Sequence, residues 1–316
     1  MMNYLFPTMY KIKVTSISFS KNEFLVSELK NFFPNSVVNE KFIRFKDDDL
    51  INYLSDADAA IIGVEDINDN VLKQLPNLKF ISKYGVGLNN IDIDSCKNRN
   101  VKVGWVGGVN RYSVAEQTVC FIIMLARNLY ISSNELKYNY SWVKNGGFQI
   151  RNKKIGIIGL GFIGKEVARI LNFFGCEIYA NDIKDLKKYA QDNDIRFVNK
   201  KFIYENCDFI TIHVPLTKNT KNLISINDFK KMKKSAFLIN TSRGGIINEN
   251  DLIYALENKL IAGAALDVYL NEPNPNTDLL KFPNLICTPH IAGNSVESVK
   301  AMGISSIENL KKFYKK

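Results

Sequence analysis

The stretch KKIGIIGLGFIGKEVA, Lys153 to Ala168, carries Gly159, Gly161 and Gly164 in the spacing G-x-G-x-x-G. The apolar run IGIIG reads as a buried strand, the glycines close it, and a helical pattern opens directly behind them. That order gives each glycine a task. Gly159 permits the tight turn, Gly161 lets backbone approach a pyrophosphate, and Gly164 lets helix pack on strand. The new helix turns unpaired N–H groups and the positive end of its dipole towards any phosphate. Taken alone the three glycines could equally be a packing turn, so the rest of the chain has to decide.

The next strand, CEIYAND, ends at Asp182, 18 residues past Gly164. A carboxylate there can accept from both adenosine ribose hydroxyls, and it repels a 2′-phosphate. No arginine follows at once, though Lys184 is near. The stretch therefore reads as a dinucleotide site for NAD rather than NADP.

Outward from this point the chain alternates strands with helices, which means parallel sheets with crossover helices. KIKVTSISF, DAAIIGV, LKFISKYG and NVKVGWV read as strands, with helices near 21–33, 68–75 and 92–98 between them. A long helix is expected over roughly 113–130, then a loop, SWVKNGGFQI, at a plausible domain crossing. A second series of strands runs from Lys154 to PNLICTPH, and an amphipathic helix over about 295–314 closes the chain. The pattern predicts an α/β protein of two doubly wound lobes.

The totals agree with that size. The 316 residues suffice for two domains, and 46% hydrophobic with 23% charged residues is an ordinary globular composition. The longest apolar run, Val119 to Ala126, is too short to cross a bilayer, so no membrane is expected. MMNYLFPTMYKIKV lacks the build of a signal peptide, and residues before Met9 read as a loose leader. Five cysteines with no C-x-x-C favour a reducing cytoplasm over a disulfide framework or a zinc site, so no metal is expected. Net charge +10 comes from dispersed lysines without interleaved aromatics. That is a solvated surface rather than a nucleic-acid face, and it leaves an anionic small substrate open.

Three further segments sit where later strands end: NTSRGGIIN with Arg243, ALDVYLNEP with Asp267 and Glu272, and TPHIAGNS with His290. Arginine can clamp a carboxylate and polarise a neighbouring keto oxygen. Histidine can pass the proton that accompanies a hydride. A glutamate on the far ring nitrogen would fix the tautomer and favour the charged ring. The other histidine, His213 in TIHVPLT, ends a strand and is not expected to carry the proton.

The run GIIGLGFIGKEVA, HVPLT, INTSRGGIIN, AGAALDV, EP and TPHIAG resembles, in order and spacing, the D-isomer-specific 2-hydroxyacid dehydrogenases over nearly the whole chain. The resemblance implies a Rossmann coenzyme domain over 105–289. It implies a flavodoxin-like substrate domain over 1–104 plus 290–316, a cleft between the two, and a homodimer built through the coenzyme domain. Carried over by position, Arg243 binds substrate, His290 is the acid–base and Glu272 its partner, while Asp267 holds the nicotinamide carboxamide. The same register assigns the coenzyme to Gly159, Gly161, Phe162, Ile163, Gly164, Asp182, His213, Val214, Pro215, Thr220, Thr241, Ser242, Arg243, Asp267, His290 and Gly293. The loop of SKYGVGLNNID would cradle the substrate carboxylate on the backbone N–H groups of Val86 and Gly87. Lys83, Tyr84 and Asn110 are further substrate candidates, and Lys83 could meet a substrate phosphate or equally be solvated.

No regulatory domain follows the last helix in this reading, which gives the compact form of the family, like phosphoglycerate dehydrogenase. The function implied is reversible NAD-dependent oxidation of a small D-2-hydroxy acid. 3-Phosphoglycerate leads on the basic balance and Lys83; glycerate or hydroxypyruvate, or another 2-keto acid, follows. Family formate dehydrogenases carry glutamine where Glu272 stands, which argues against formate. From another class, the family includes an NADH-sensing transcriptional co-repressor.

Overall fold

The structure is a computed structural model that describes residues 10–315, so the expected leader lies outside the described residues. In chain order the first elements are β1 (Ile12–Val14), α1 (Ile17–Ser20), α2 (Glu23–Phe32), α3 (Asp47–Leu54) and β2 (Ala59–Ile62). Then come α4 (Asp69–Lys73), β3 (Phe80–Lys83), α5 (Ile93–Asn98), β4 (Lys102–Gly104), α6 (Arg111–Ala126) and α7 (Leu129–Tyr138). The second series is β5 (Lys154–Ile158), α8 (Phe162–Phe173), β6 (Glu177–Asn181), α9 (Lys187–Asp192), β7 (Ile195–Phe197) and α10 (Lys200–Asn206). It continues with β8 (Phe209–Ile212), α11 (Ile226–Phe229), β9 (Phe237–Asn240), α12 (Glu249–Glu257), β10 (Gly263–Leu266), β11 (Leu285–Cys287) and α13 (Val296–Tyr314).

The chain divides into two compact units. One ends at Asn110 and resumes at Asn294; the other is Arg111–Gly293. These limits fall a few residues beyond 104/105 and 289/290, for local reasons. The Trp105 indole donates to Val86 O at 2.7 Å and keeps the segment after β4 with the first unit. The Asp267 carboxylate accepts from Ile291 N and Ala292 N at 2.8 and 2.9 Å and keeps His290 with the second.

In the first unit β1 to β4 form a parallel sheet in that order. Val37 adds a parallel bridge on the open side of β1, through Val14 N to Val37 O and Val37 N to Ile12 O, each 2.9 Å. The order thus reverses at β1, as in a flavodoxin-like sheet. The central strands β2 and β3 are buried on both faces: Ile61 enters one core with Ile12 and Val14 of β1, while Ala60, Ile62 and Ile81 enter the other.

The second unit carries seven parallel strands in the order β11-β10-β9-β8-β5-β6-β7. The chain reverses direction of travel between β5 and β8, which is the switch point where such sheets bind ligands. Here too the strands split their side chains, with Ile158, Ile210 and Leu238 in one core and Ile157, Phe209 and Ile239 in the other.

Local chemistry corrects three expectations. KIKVTSISF is not one strand, because Ser16 caps a helix by accepting from Phe19 N. The expected 113–130 helix breaks at Asn128, left-handed at φ 50°, into α6 and α7, bent by 67°. Unforeseen α3 starts on Asp47, Asp48 and Asp49, whose charges suit a helix N-terminus, and buries Leu50, Ile51 and Leu54. Among the described residues no single helix is long and apolar enough to cross a membrane.

Candidate functional site

The coenzyme loop follows from its glycines. Gly159 leaves β5 at φ +99°, and a Cβ there would sit 2.6 Å from His213 O at the end of β8. A Cβ on Gly164 would lie 2.1 Å from Gly159 O, so only glycine lets α8 start against the strand. At Gly161, by contrast, a Cβ would meet nothing within 4 Å, and no side chain caps the helix. The first turn of α8 therefore faces open space with its N–H groups available, which suits a pyrophosphate. Phe162 stands exposed at this end, while Ile163 packs into the core below.

Asp182, just past β6, accepts from Leu160 N at 2.8 Å and from Lys184 N at 2.9 Å. It ties the glycine loop to its own strand end while keeping acceptor lone pairs for a ribose diol. Across the switch point His213 shares a 3.0 Å hydrogen bond between Nε2 and Thr211 Oγ1, and its buried Nδ1 has no partner among the described residues. Burial pushes this ring's pKa down to about 3, so it is neutral at physiological pH. An orphaned buried nitrogen beside the glycine loop fits a bound dinucleotide. Val214 lies against Gly159, and Thr220 closes the following loop by donating to Pro215 O at 2.6 Å.

The second half of the unit carries the residues expected to form the acid–base set. After β9, Asn240 organises the turn: its Oδ1 accepts from Ser242 N and Oγ at 3.0 and 2.7 Å, and its Nδ2 donates to Arg243 O at 2.9 Å. The Thr241 hydroxyl lies 2.9 Å from that of Thr118 on α6. The Arg243 guanidinium donates to Ser242 O at 2.6 Å. Burial lowers its pKa against the opposing charge of Glu272, and a guanidinium stays protonated regardless.

Asp267, fully buried after β10, accepts from four donors. Thr288 Oγ1 (2.5 Å), Gln117 Nε2 (3.0 Å) and Ile291 N (2.8 Å) reach Oδ1, and Ala292 N (2.9 Å) reaches Oδ2. Gln117 also donates to Thr288 Oγ1 at 3.0 Å. The Ser113 hydroxyl donates to Ala292 O at 2.6 Å, and Gly293 ends the unit half-buried. This network fixes the loop that carries His290, whose backbone is left-handed at φ +55°, a conformation that costs an L residue energy and concentrates at functional sites.

His290 Nδ1 meets Glu272 Oε2 at 2.7 Å, and Glu272 Oε1 accepts from Tyr269 N at 3.0 Å. Burial raises the Glu272 pKa, but the His290 bond, the Tyr269 N–H and the charges of His290 and Arg243 outweigh it and hold it below the usual value. Nε2 is the ring nitrogen that Glu272 leaves for chemistry.

In the first unit Gly85 turns at φ +112° and begins the Val86–Gly87 loop, both residues half-buried. The buried Oδ1 of Asn110 has no protein partner among the described residues. Two candidates fall elsewhere. Lys83 is 5% exposed, and its ammonium donates to Gly63 O and, at 2.7 Å, to Asn90 Oδ1. Tyr84 belongs to the core, edge-on to Phe19, and burial pushes its hydroxyl pKa up to about 12. Sequence reading passed over Gln117, Asn240 and Thr288. Gln117 stands between Glu116 and Thr118, directly before the apolar run Val119–Ala126, with no motif to single it out.

The coenzyme-domain model of the D-isomer-specific 2-hydroxyacid dehydrogenases matches residues 119–292. A glyoxylate reductase of Thermofilum pendens is 36% identical over 274 residues, 83% of this chain and 80% of that protein. A D-3-phosphoglycerate dehydrogenase of Methanocaldococcus jannaschii is 34% identical over 84% of this chain but only 51% of its own length. Among solved structures, the pyruvate reductase of Chlamydomonas reinhardtii aligns with a TM-score of 0.84 at 29% identity, over 98% of this chain and 97% of that one. The chain belongs to the D-isomer-specific 2-hydroxyacid dehydrogenase family. It is an NAD-dependent oxidoreductase of the CH–OH group, and NAD is its coenzyme.

Proposed function

We propose that this chain reversibly reduces a small, unphosphorylated 2-keto acid of the glyoxylate or hydroxypyruvate kind to the D-2-hydroxy acid. The observation that carries the reading is the 2.7 Å contact of His290 with Glu272, set within reach of Arg243's charge. When bound, the coenzyme supplies the hydride. His290 gives the proton from Nε2 to the carbonyl oxygen and takes it back in the reverse direction. Glu272 steadies the charged ring through Nδ1. Arg243 polarises the carbonyl and pairs with the carboxylate. Within the first unit, the N–H groups of Val86 and Gly87 are the donors proposed for a carboxylate.

3-Phosphoglycerate rested on the basic balance and on Lys83, and the second support is weakened, since the ammonium already serves Gly63 and Asn90. The chain covers 80% and 87% of the relatives named glyoxylate reductase and hydroxypyruvate reductase but only 51% of the one named D-3-phosphoglycerate dehydrogenase, which favours the smaller acids. Absorbance loss of NADH across glyoxylate, hydroxypyruvate, pyruvate and 3-phosphohydroxypyruvate tests this. Turnover strongest on an unphosphorylated acid is expected. Turnover confined to the phosphorylated acid would overturn the substrate, and NADH binding without turnover on any acid would favour a sensor.

The five cysteines, none in a disulfide, suit a reducing cytoplasm. The coenzyme unit pairs with a second copy through α7 and the segment after it, where Tyr138, Tyr140, Trp142 and Val143 are 69–89% exposed. A cluster of aromatics that exposed is unusual on a monomer.

A further inference from the structure

We infer that Lys83, Asn90 and Glu65 form a clamp on Gly63 that positions the substrate-carboxylate loop; the inference rests on the function proposed above for Val86 and Gly87. Gly63, just past β2, is held at both of its backbone polar groups. Its N–H donates to Glu65 Oε2 at 3.0 Å, while its carbonyl accepts from the Lys83 ammonium and from Asn90 Nδ2 at 3.3 Å. Glu65, 4% exposed, accepts also from Thr15 Oγ1 at 2.6 Å. Asn90 completes the ring, with Oδ1 accepting from Lys83 at 2.7 Å and Nδ2 donating to Glu65 O at 2.6 Å.

Two buried charges of opposite sign thus grip one residue at its two backbone polar groups. Burying an ammonium or a carboxylate is costly unless each finds polar partners, so leaving this arrangement to meet a ligand would expose both to that cost. The clamp links the loop after β2 to both ends of the loop after β3. Tyr84 N donates to Ile62 O at 2.9 Å at one end, and Ile67 N donates to Asn90 O at 2.8 Å at the other. The span from Gly85 to Asn89 hangs between those anchors. Its middle is held once more by the Trp105 indole on Val86 O. Lys83 is accordingly a positioning residue: it orients N–H groups that bind carboxylate in ground state and transition state alike.

Uniform binding of that kind governs KM and leaves kcat alone. Lys83→Met is expected to raise KM for the keto acid by about tenfold, and Asn90→Ala by about threefold, with kcat within about twofold and NADH affinity unchanged. A second readout needs no substrate. In a Trp142→Phe background Trp105 is the sole tryptophan, and its emission is expected to shift to the red in both clamp variants as the indole loses Val86 O. Asn90→Ala, which removes no buried charge, serves if Lys83→Met does not fold. An unchanged Trp105 emission, or an unchanged KM where the wild-type chain turns over, overturns the clamp. So does a Lys83→Met defect confined to a phosphorylated acid, which would make Lys83 a ligand. Absence of wild-type turnover on every acid would instead overturn the function, and Trp105 alone then decides the clamp.

Discussion

At the residue scale the chemistry turns on one carboxylate. Glu272 keeps its charge below the ordinary carboxylate range because His290, Tyr269 N–H and Arg243 together outweigh burial. Its contribution to stability is therefore fully present above the unfolded value, and is lost only as pH falls through the lowered one. Glu272→Gln retains an oxygen for Tyr269 N but removes the charge that steadies the protonated ring. Keto-acid reduction is expected to fall at least tenfold at neutral pH. Steady-state kcat/KM of both proteins at neutral pH checks this; an unchanged rate would detach Glu272 from the proton transfer.

At the scale of elements, α7 and its following segment are the least self-sufficient part of the coenzyme unit. No residue of α7 is buried, and Trp142 beyond it is 78% exposed. Trp142→Glu is expected to halve the mass seen by light scattering while NADH binding persists; an unchanged mass would place the contact elsewhere, and a monomeric wild-type chain would overturn the pairing. The α6–α7 break also marks what sequence could not say. Periodicity ran on to Tyr130, because an asparagine can sit in a helix or end it, and only the left-handed backbone at Asn128 tells which. The strand at Val37 is a single bridge, too short to leave an alternating pattern. By contrast β5, Gly159–Gly164 and α8 were legible, since strand, turn and helix follow within one short stretch. Site residues divide in the same way. Arg243, Glu272 and His290 are proposed from motif order, and the bond between Glu272 and His290 is consistent with it, whereas the ties between Lys83 and Gly63, and between Gln117 and Asp267, join residues apart in sequence that no motif links.

At the scale of the whole molecule, the chain holds only two histidines, so few side chains can titrate near neutrality. Burial keeps His213 neutral down to about 3, and pushes Cys96 and Cys176 up to about 11 and Cys207 to about 12. The central claim, that His290 alone carries the proton, is tested most directly by kcat/KM for keto-acid reduction against pH in wild type, His290→Gln and His213→Gln. The account predicts that His290→Gln loses about a hundredfold or more in rate together with the alkaline limb. His213→Gln should keep that limb and weaken NADH binding instead. A His290→Gln enzyme with the wild-type rate, or a limb that vanishes with His213, would contradict it.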